Sequence, residues 1–192
     1  MPLSPPAPRR KFHTRHITAE GFRRDDGGWD IEGHLIDTKS YTYHEHYRGE
    51  MPPGRPVHEM SIRLTLGDDM IVQAVETATD NAPYGPCFRV APNFQALVGV
   101  KVGNGWRKEV RKRVGRTLGC THLVELLDTI ATVSFQCVAN GPNPENVDLK
   151  TVWRSFENKP FFVDGCHAWS TDSEVVRDQL PMYYTGQDNA KP

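Results

Sequence analysis

Two turn signals do most to restrict what this chain can fold into. Asp25-Asp26-Gly27-Gly28 and Gly67-Asp68-Asp69 each interrupt long stretches in which polar and apolar side chains alternate. Runs of acid and glycine close antiparallel strand pairs, because both residue types tolerate the backbone angles of a tight turn. Residues 12–24 and 29–43 flank the first turn. In the second of these strands Trp29, Ile31, Gly33 and Leu35 share one face, and Asp30, Glu32 and His34 share the other. Residues 57–66 and 70–78 flank the second turn. Two hairpins predict an antiparallel sheet of about four strands.

Beyond the strands the hydrophobic period changes. Residues 44–56 read as a loop, as does the segment holding Pro83, Pro86 and Pro92; a short helix over 94–98 ends at Gly99, and a charged helix covers 107–114. Leu118-Gly119-Cys120-Thr121-His122 then opens an apolar run in which Leu123, Leu126, Leu127, Ile130 and Ala131 recur at three-four spacing. That spacing predicts a buried helix to about Val138, stopped by Asn140-Gly141-Pro142-Asn143-Pro144. Thr117 or Thr121 is placed to cap it. A further turn or two of helix is expected over 174–180. Strands first and helices afterwards give an α+β architecture with helices on one face of the sheet. A proline-rich leader, 1–10, precedes a single domain over 11–192.

A formal net charge of −1 supplies no basic surface for nucleic acid or an anionic membrane. No apolar stretch reaches the roughly 20 residues that span a bilayer, and residues 1–10 hold no secretory signal. The expectation is a cytoplasmic protein whose four cysteines are reduced thiols. They form no C-x-x-C pair, which removes the usual zinc knuckle. No nucleotide or redox-cofactor motif is visible.

Chemistry can be sought where the hairpin ends meet the late helix. His58 enters the third strand and Asp80 leaves the fourth, so a tight turn between them sets these ends side by side. If the helix opened at Cys120 docks over that end, His58, Asp80, Cys120 and His122 converge. One thiolate, one carboxylate and two imidazoles suit a mononuclear divalent metal, zinc above all. A metal-free alternative makes Cys120 a nucleophile. His58 is then the better base, because Cys120 and His122 at i,i+2 of a helix point apart. His34, with Asp37 and Lys39, is a further acid/base candidate, and Cys166-His167 reads either as a plain turn or as a cover over the same pocket. His44-Glu45-His46 permits metal capture by its spacing but lies in a loop. The basic run 107–116 has no glycine cradle and reads as a solvated helix face.

The segments Gly-Trp-Asp-Ile-Glu-Gly-His-Leu-Ile-Asp-Thr-Lys at 28–39, Val-His-Glu-Met-Ser-Ile-Arg-Leu-Thr-Leu at 57–66 and Gly-Cys-Thr-His-Leu-Val-Glu-Leu-Leu at 119–127, with Cys166-His167-Ala168, resemble a bacterial family defined as a domain of unknown function, DUF2889. That resemblance implies no activity. A more distant one is to iron–sulfur scaffold proteins of the NifU/SufE type. It implies ligands before the third strand, after the fourth and at the start of a late helix, here His58, Asp80 or Asn81, and Cys120. A mixed His/Asp/Cys set fits mononuclear metal or acid/base chemistry better than a cluster.

The reading is a small enzyme of hydrolase or lyase type acting on a small organic substrate. Cys120, His58, His122, His34 and His167 are its catalytic candidates; His58, Asp80, Cys120 and His122 are its metal candidates. The alternatives are a non-catalytic metal or sulfur carrier docking on a partner protein, and a small-molecule binder without chemistry.

Overall fold

A computed structural model describes residues 3–138, 148–154, 157–160 and 162–186. The chain divides into two compact units, Met1–Ser134 and Phe135–Pro192.

The first unit is built on an antiparallel sheet in the order β1-β2-β5-β6. Its strands are β1 (His13–Arg23), β2 (Trp29–Lys39), β5 (Pro56–Leu66) and β6 (Val72–Asn81). Both expected hairpins form. The first turn closes by Gly27 N–H donating to the Arg24 carbonyl (3.2 Å), the second by Met70 N–H donating to that of Gly67 (2.9 Å). β2 also pairs with β5, Leu35 opposite Met60 and Gly33 opposite Ile62, which joins the two hairpins into one sheet. The architecture is α+β.

Two details depart from the sequence reading. β2 stops at Lys39 rather than 43, after an irregularity in its pairing between Asp37 and Thr38. The expected loop over 44–56 contains a small hairpin of its own, β3 (Tyr43–Glu45) with β4 (Gly49–Met51). Three-residue strands are too short to show an alternation. An Arg48–Glu45 ion pair and Arg48 Nη donors on the Pro56 and Val57 carbonyls hold this hairpin against the start of β5.

The inner face of the sheet is apolar. Ile31, Leu35, Met60, Ile62, Leu64 and Leu66 are essentially inaccessible. Helix α2 (Thr121–Val138) covers it with Leu123, Leu126, Leu127 and Ile130. The contact is close enough to require glycine in the strand beneath, for a Cβ at Gly33 would lie 2.9 Å from Ile130 Cδ1. Before α2 come a 3₁₀ segment, Ala91–Leu97, which buries Phe94 and Leu97, and helix α1 (Trp106–Val114). Trp106 donates through its indole N–H to the Leu127 carbonyl (3.2 Å), fastening α1 to α2. The basic residues of α1 are solvated or locally paired, as with Arg113 on Glu109.

The second unit contains short helices α3 (Leu149–Arg154) and α4 (Glu174–Gln179). Val163, Val176 and Leu180 are buried among Trp153, Phe162, Trp169, Tyr183 and Tyr184. The stop signal at 140–144 lies outside the described residues. Among the described residues, no helix is long and apolar enough to cross a membrane.

Candidate functional site

The apolar inner face ends in one charged rung. Strand register sets Arg15 opposite Asp37, and Asp37 opposite His58. The next rung is hydrocarbon again, Ile17, Leu35 and Met60. Asp37 therefore lies on the face of Trp29, Ile31, Gly33 and Leu35, and its side chain is 1% exposed.

A buried carboxylate needs partners for every lone pair, and Asp37 has them. Arg15 donates through Nε to Oδ1 (2.8 Å) and through Nη2 to Oδ2 (2.7 Å). His13 Nε2 donates to Oδ1 (3.2 Å), and His58 Nδ1 to Oδ2 (3.1 Å). Burial alone would raise the Asp37 pKa; the hydrogen bonds from Arg15 and His13, the Arg15 charge and the His58 bond outweigh it and hold the carboxyl at about 2. Arg15 also pairs with Glu125 of α2, tying strand, carboxylate and helix together.

α2 supplies the other wall. Val124 N–H donates to the Cys120 carbonyl (2.9 Å), so Cys120 occupies the N-cap and Thr121, one of the two expected caps, is the first helical residue. Gly119 is needed just before it: a Cβ there would sit 2.1 Å from the Val114 carbonyl oxygen at the end of α1. His122 stacks on His58, ring centroids 3.8 Å apart at 31°. Its Nε2 is 3.9 Å from Asp37 Oδ2, and its Nδ1 is 3.7 Å from Cys120 Sγ. Cys120 and His122 meet because an N-cap residue is not helical, which corrects the expectation that i,i+2 side chains point apart. Cys120 thus meets His122, where His58 was the expected base. Burial lowers the pKa of both imidazoles; at His122 the neighbouring His58 and Arg15 charges add to the fall.

Since an ionised carboxylate only accepts, the proton on His58 belongs on Nδ1, which leaves the lone pair on Nε2. Ligand atoms of Asp37, His58 and His122 all lie within 4.8 Å of one another, a group able to hold a metal ion.

The remaining candidates lie elsewhere. Asp80 is exposed on β6, beside an irregularity where Asn81 rather than Asp80 pairs with Glu59. His34 faces the opposite side of the sheet from Asp37, 3.7 Å from Glu59, on a cavity also lined by Glu20, Glu32, Arg63 and Glu76. Lys39 rests over the Tyr43 ring at 3.7 Å. His44 and His46 are exposed on the small hairpin. Cys166 and His167 are exposed in the second unit, where His167 begins a 3₁₀ turn. Two members of the site, His13 and Arg15, were missed by sequence reasoning. Asp37 was grouped with His34, although strand parity alone assigns it to the other face.

The family described as "Protein of unknown function (DUF2889)" matches residues 13–136. The chain belongs to the DUF2889 family. The matched span contains the complete sheet and the whole Arg15–Asp37–His58–His122 arrangement of this DUF2889 protein. No curated protein and no solved structure matches the chain.

Proposed function

We propose that this chain is a small cytoplasmic enzyme of hydrolase or lyase type in which His58 is the general base toward a small organic substrate. The hydrogen bond from His58 Nδ1 to Asp37 carries the reading. A carboxylate behind the imidazole selects the tautomer, fixes the ring plane and stabilises the imidazolium formed when Nε2 takes a proton. Arg15 and His13 keep Asp37 ionised and immobile. His122 stacks against the base, and the Cys120 thiol beside it is a candidate nucleophile or polar contact. The proton that His58 removes comes from water in hydrolysis, or from carbon in an elimination.

A second reading is favoured by the 4.8 Å clustering of Asp37, His58 and His122. Two imidazoles and a carboxylate form a ligand set of open catalytic zinc sites. Against it, four donors already fill the Asp37 oxygens, so a cation bound there has to displace one.

The test assays the full chain on panels of small activated esters, thioesters and β-substituted acids, with and without chelator, alongside elemental analysis. Chelator-resistant turnover that falls about 10²–10⁴-fold in His58→Gln and Asp37→Asn supports the base. Turnover that survives both substitutions overturns it. Turnover that needs one zinc per chain transfers the case to the metal reading. Bound metal without turnover favours a carrier.

A further inference from the structure

The His122 ring divides two kinds of donor. Toward Nε2 lies the Asp37 carboxylate, Oδ2 at 3.9 Å, while His58 stacks on the ring face. Toward Nδ1 lies sulfur: Cys120 Sγ is 3.7 Å from His122 Nδ1 and 3.7 Å from Met60 Sδ. Met60 follows His58 by two residues on β5, so the same inner face that ends in the charged rung presents a thioether one rung earlier. Met60 is otherwise a core residue, fully buried, and its sulfur is the atom that meets the thiol at the helix cap.

From this juxtaposition we propose that Cys120, Met60 and His122 form a binding site for a soft monovalent cation, with Cu(I) as the biological candidate. The donor types are the first argument. Thiolate and thioether select Cu(I) over hard cations, and an imidazole completes a three-coordinate set. The spacing is the second. A cation about 2.3 Å from each sulfur and about 2.0–2.1 Å from nitrogen, at angles of about 109–120°, separates the sulfurs by about 3.8–4.0 Å and sulfur from nitrogen by about 3.5–3.8 Å. Both measured separations, 3.7 Å, lie at or within about 0.1 Å of these edges. Two of the three edges of the ligand triangle, both from Cys120, therefore already have the lengths that a bound cation requires. On binding, the Cys120 thiol gives its proton to solvent and His122 binds through Nδ1. Its Nε2 then carries the N–H, 3.9 Å from Asp37 Oδ2. A neutral imidazole cannot ligate through both nitrogens, so occupation of this site withdraws His122 from any divalent metal beside Asp37.

The experiment titrates the full chain anaerobically with Cu(I) held by bicinchoninate, and separately with Ag(I), a redox-inert probe. One cation per chain is expected. Met60→Leu and Cys120→Ser should each weaken binding by about tenfold or more, while Cys166→Ser, in the second unit, should leave it unchanged. Absence of binding, or binding that follows Cys166→Ser instead, overturns the proposal. Because Met60 is a core residue, the thioether is also tested without substitution. In selenomethionine-substituted protein the Cu K-edge spectrum should contain a selenium scatterer in the first shell, and its absence removes Met60 from the site. These outcomes are independent of whether His58 is a base.

Discussion

Asp37 is the residue on which the site turns, because it is a carboxylate placed where the pattern of its own strand calls for hydrocarbon. Breaking a buried ion pair by removing one partner costs about 3–5 kcal/mol when the other stays desolvated. Arg15 is 30% exposed and recovers some hydration, so Asp37→Asn should cost rather less, about 2–3 kcal/mol by urea denaturation. Arg63→Ala on the outer face, where the Arg63–Glu32 pair is 42% and 40% exposed, should change stability by less than about 1 kcal/mol. Equal losses in the two variants would deny Asp37 its structural weight. The same residue sets a pH limit. Its carboxyl titrates at about 2 in the fold against 3.8 for the free group, so its contribution is complete above about pH 4 and is lost as pH falls toward 2. That shift is worth about 2 kcal/mol. His58 and His122 act higher on the scale. Their folded pKa values lie below 6.5, so protons bind the unfolded chain more tightly and stability declines as pH drops below about 6.5. In metal-free protein the acid limb should therefore have two parts, and a double His58→Gln, His122→Gln variant should lose the upper one. An unchanged profile in that variant would place both rings outside the titration.

At the scale of elements, the long patterns were legible and the short ones were not. Alternation over 10 or 11 residues and the three-four spacing of Leu123, Leu126, Leu127 and Ile130 are strong signals, and β1, β2, β5, β6 and α2 all form, with β2 ending at Lys39 rather than 43 and β6 covering Val72–Asn81 rather than 70–78. His58 and His122 were named because they stand at the ends of such elements. Asp37 was visible as a residue but was assigned to the wrong group, and Asp80 was favoured because the two ends of a tight hairpin lie side by side. Continued regularly from Met60 opposite Thr79, the pairing would set Asp80 against Glu59 on the outer face, and the irregularity there puts Asn81 in that place, so neither arrangement brings Asp80 to His58. His13 and Arg15 needed the register of β1 against β2 before their face had meaning. The closeness of α2 to the sheet was equally hidden, since Gly33 reads merely as a small residue in a strand. Gly33→Val should displace Ile130 and cost about 1–3 kcal/mol, read as a fall in the urea midpoint. If stability is unchanged, the helix has room that the 2.9 Å approach denies.

For the whole molecule, two units with unequal cores should not resist denaturant equally. The first buries Ile31, Leu35, Phe94, Leu97, Leu126 and Ile130 completely, under a four-stranded sheet. In the second, the buried cluster among the described residues is Val163, Val176 and Leu180, with half-buried aromatic rings around it. Burial of apolar surface is the main favourable term, at about 25 cal/mol per Å², and a small core seldom exceeds its conformational entropy cost by much. The tryptophans divide evenly between the units, Trp29 and Trp106 in the first, Trp153 and Trp169 in the second. Trp153 and Trp169 pack edge to face, with ring centroids 5.1 Å apart, so their emission reports on the second unit. In the full chain carrying Trp29→Phe and Trp106→Phe, fluorescence should change at lower urea than far-UV circular dichroism, which the sheet and α2 dominate. The separation matters for function, because Asp37, His58, Cys120 and His122 all belong to the first unit. Cu(I) binding should then persist at urea concentrations where the second unit's fluorescence is already lost. Coincident transitions by both probes would mean that the two units unfold as one cooperative body, and the site would then share the fate of residues 135–192.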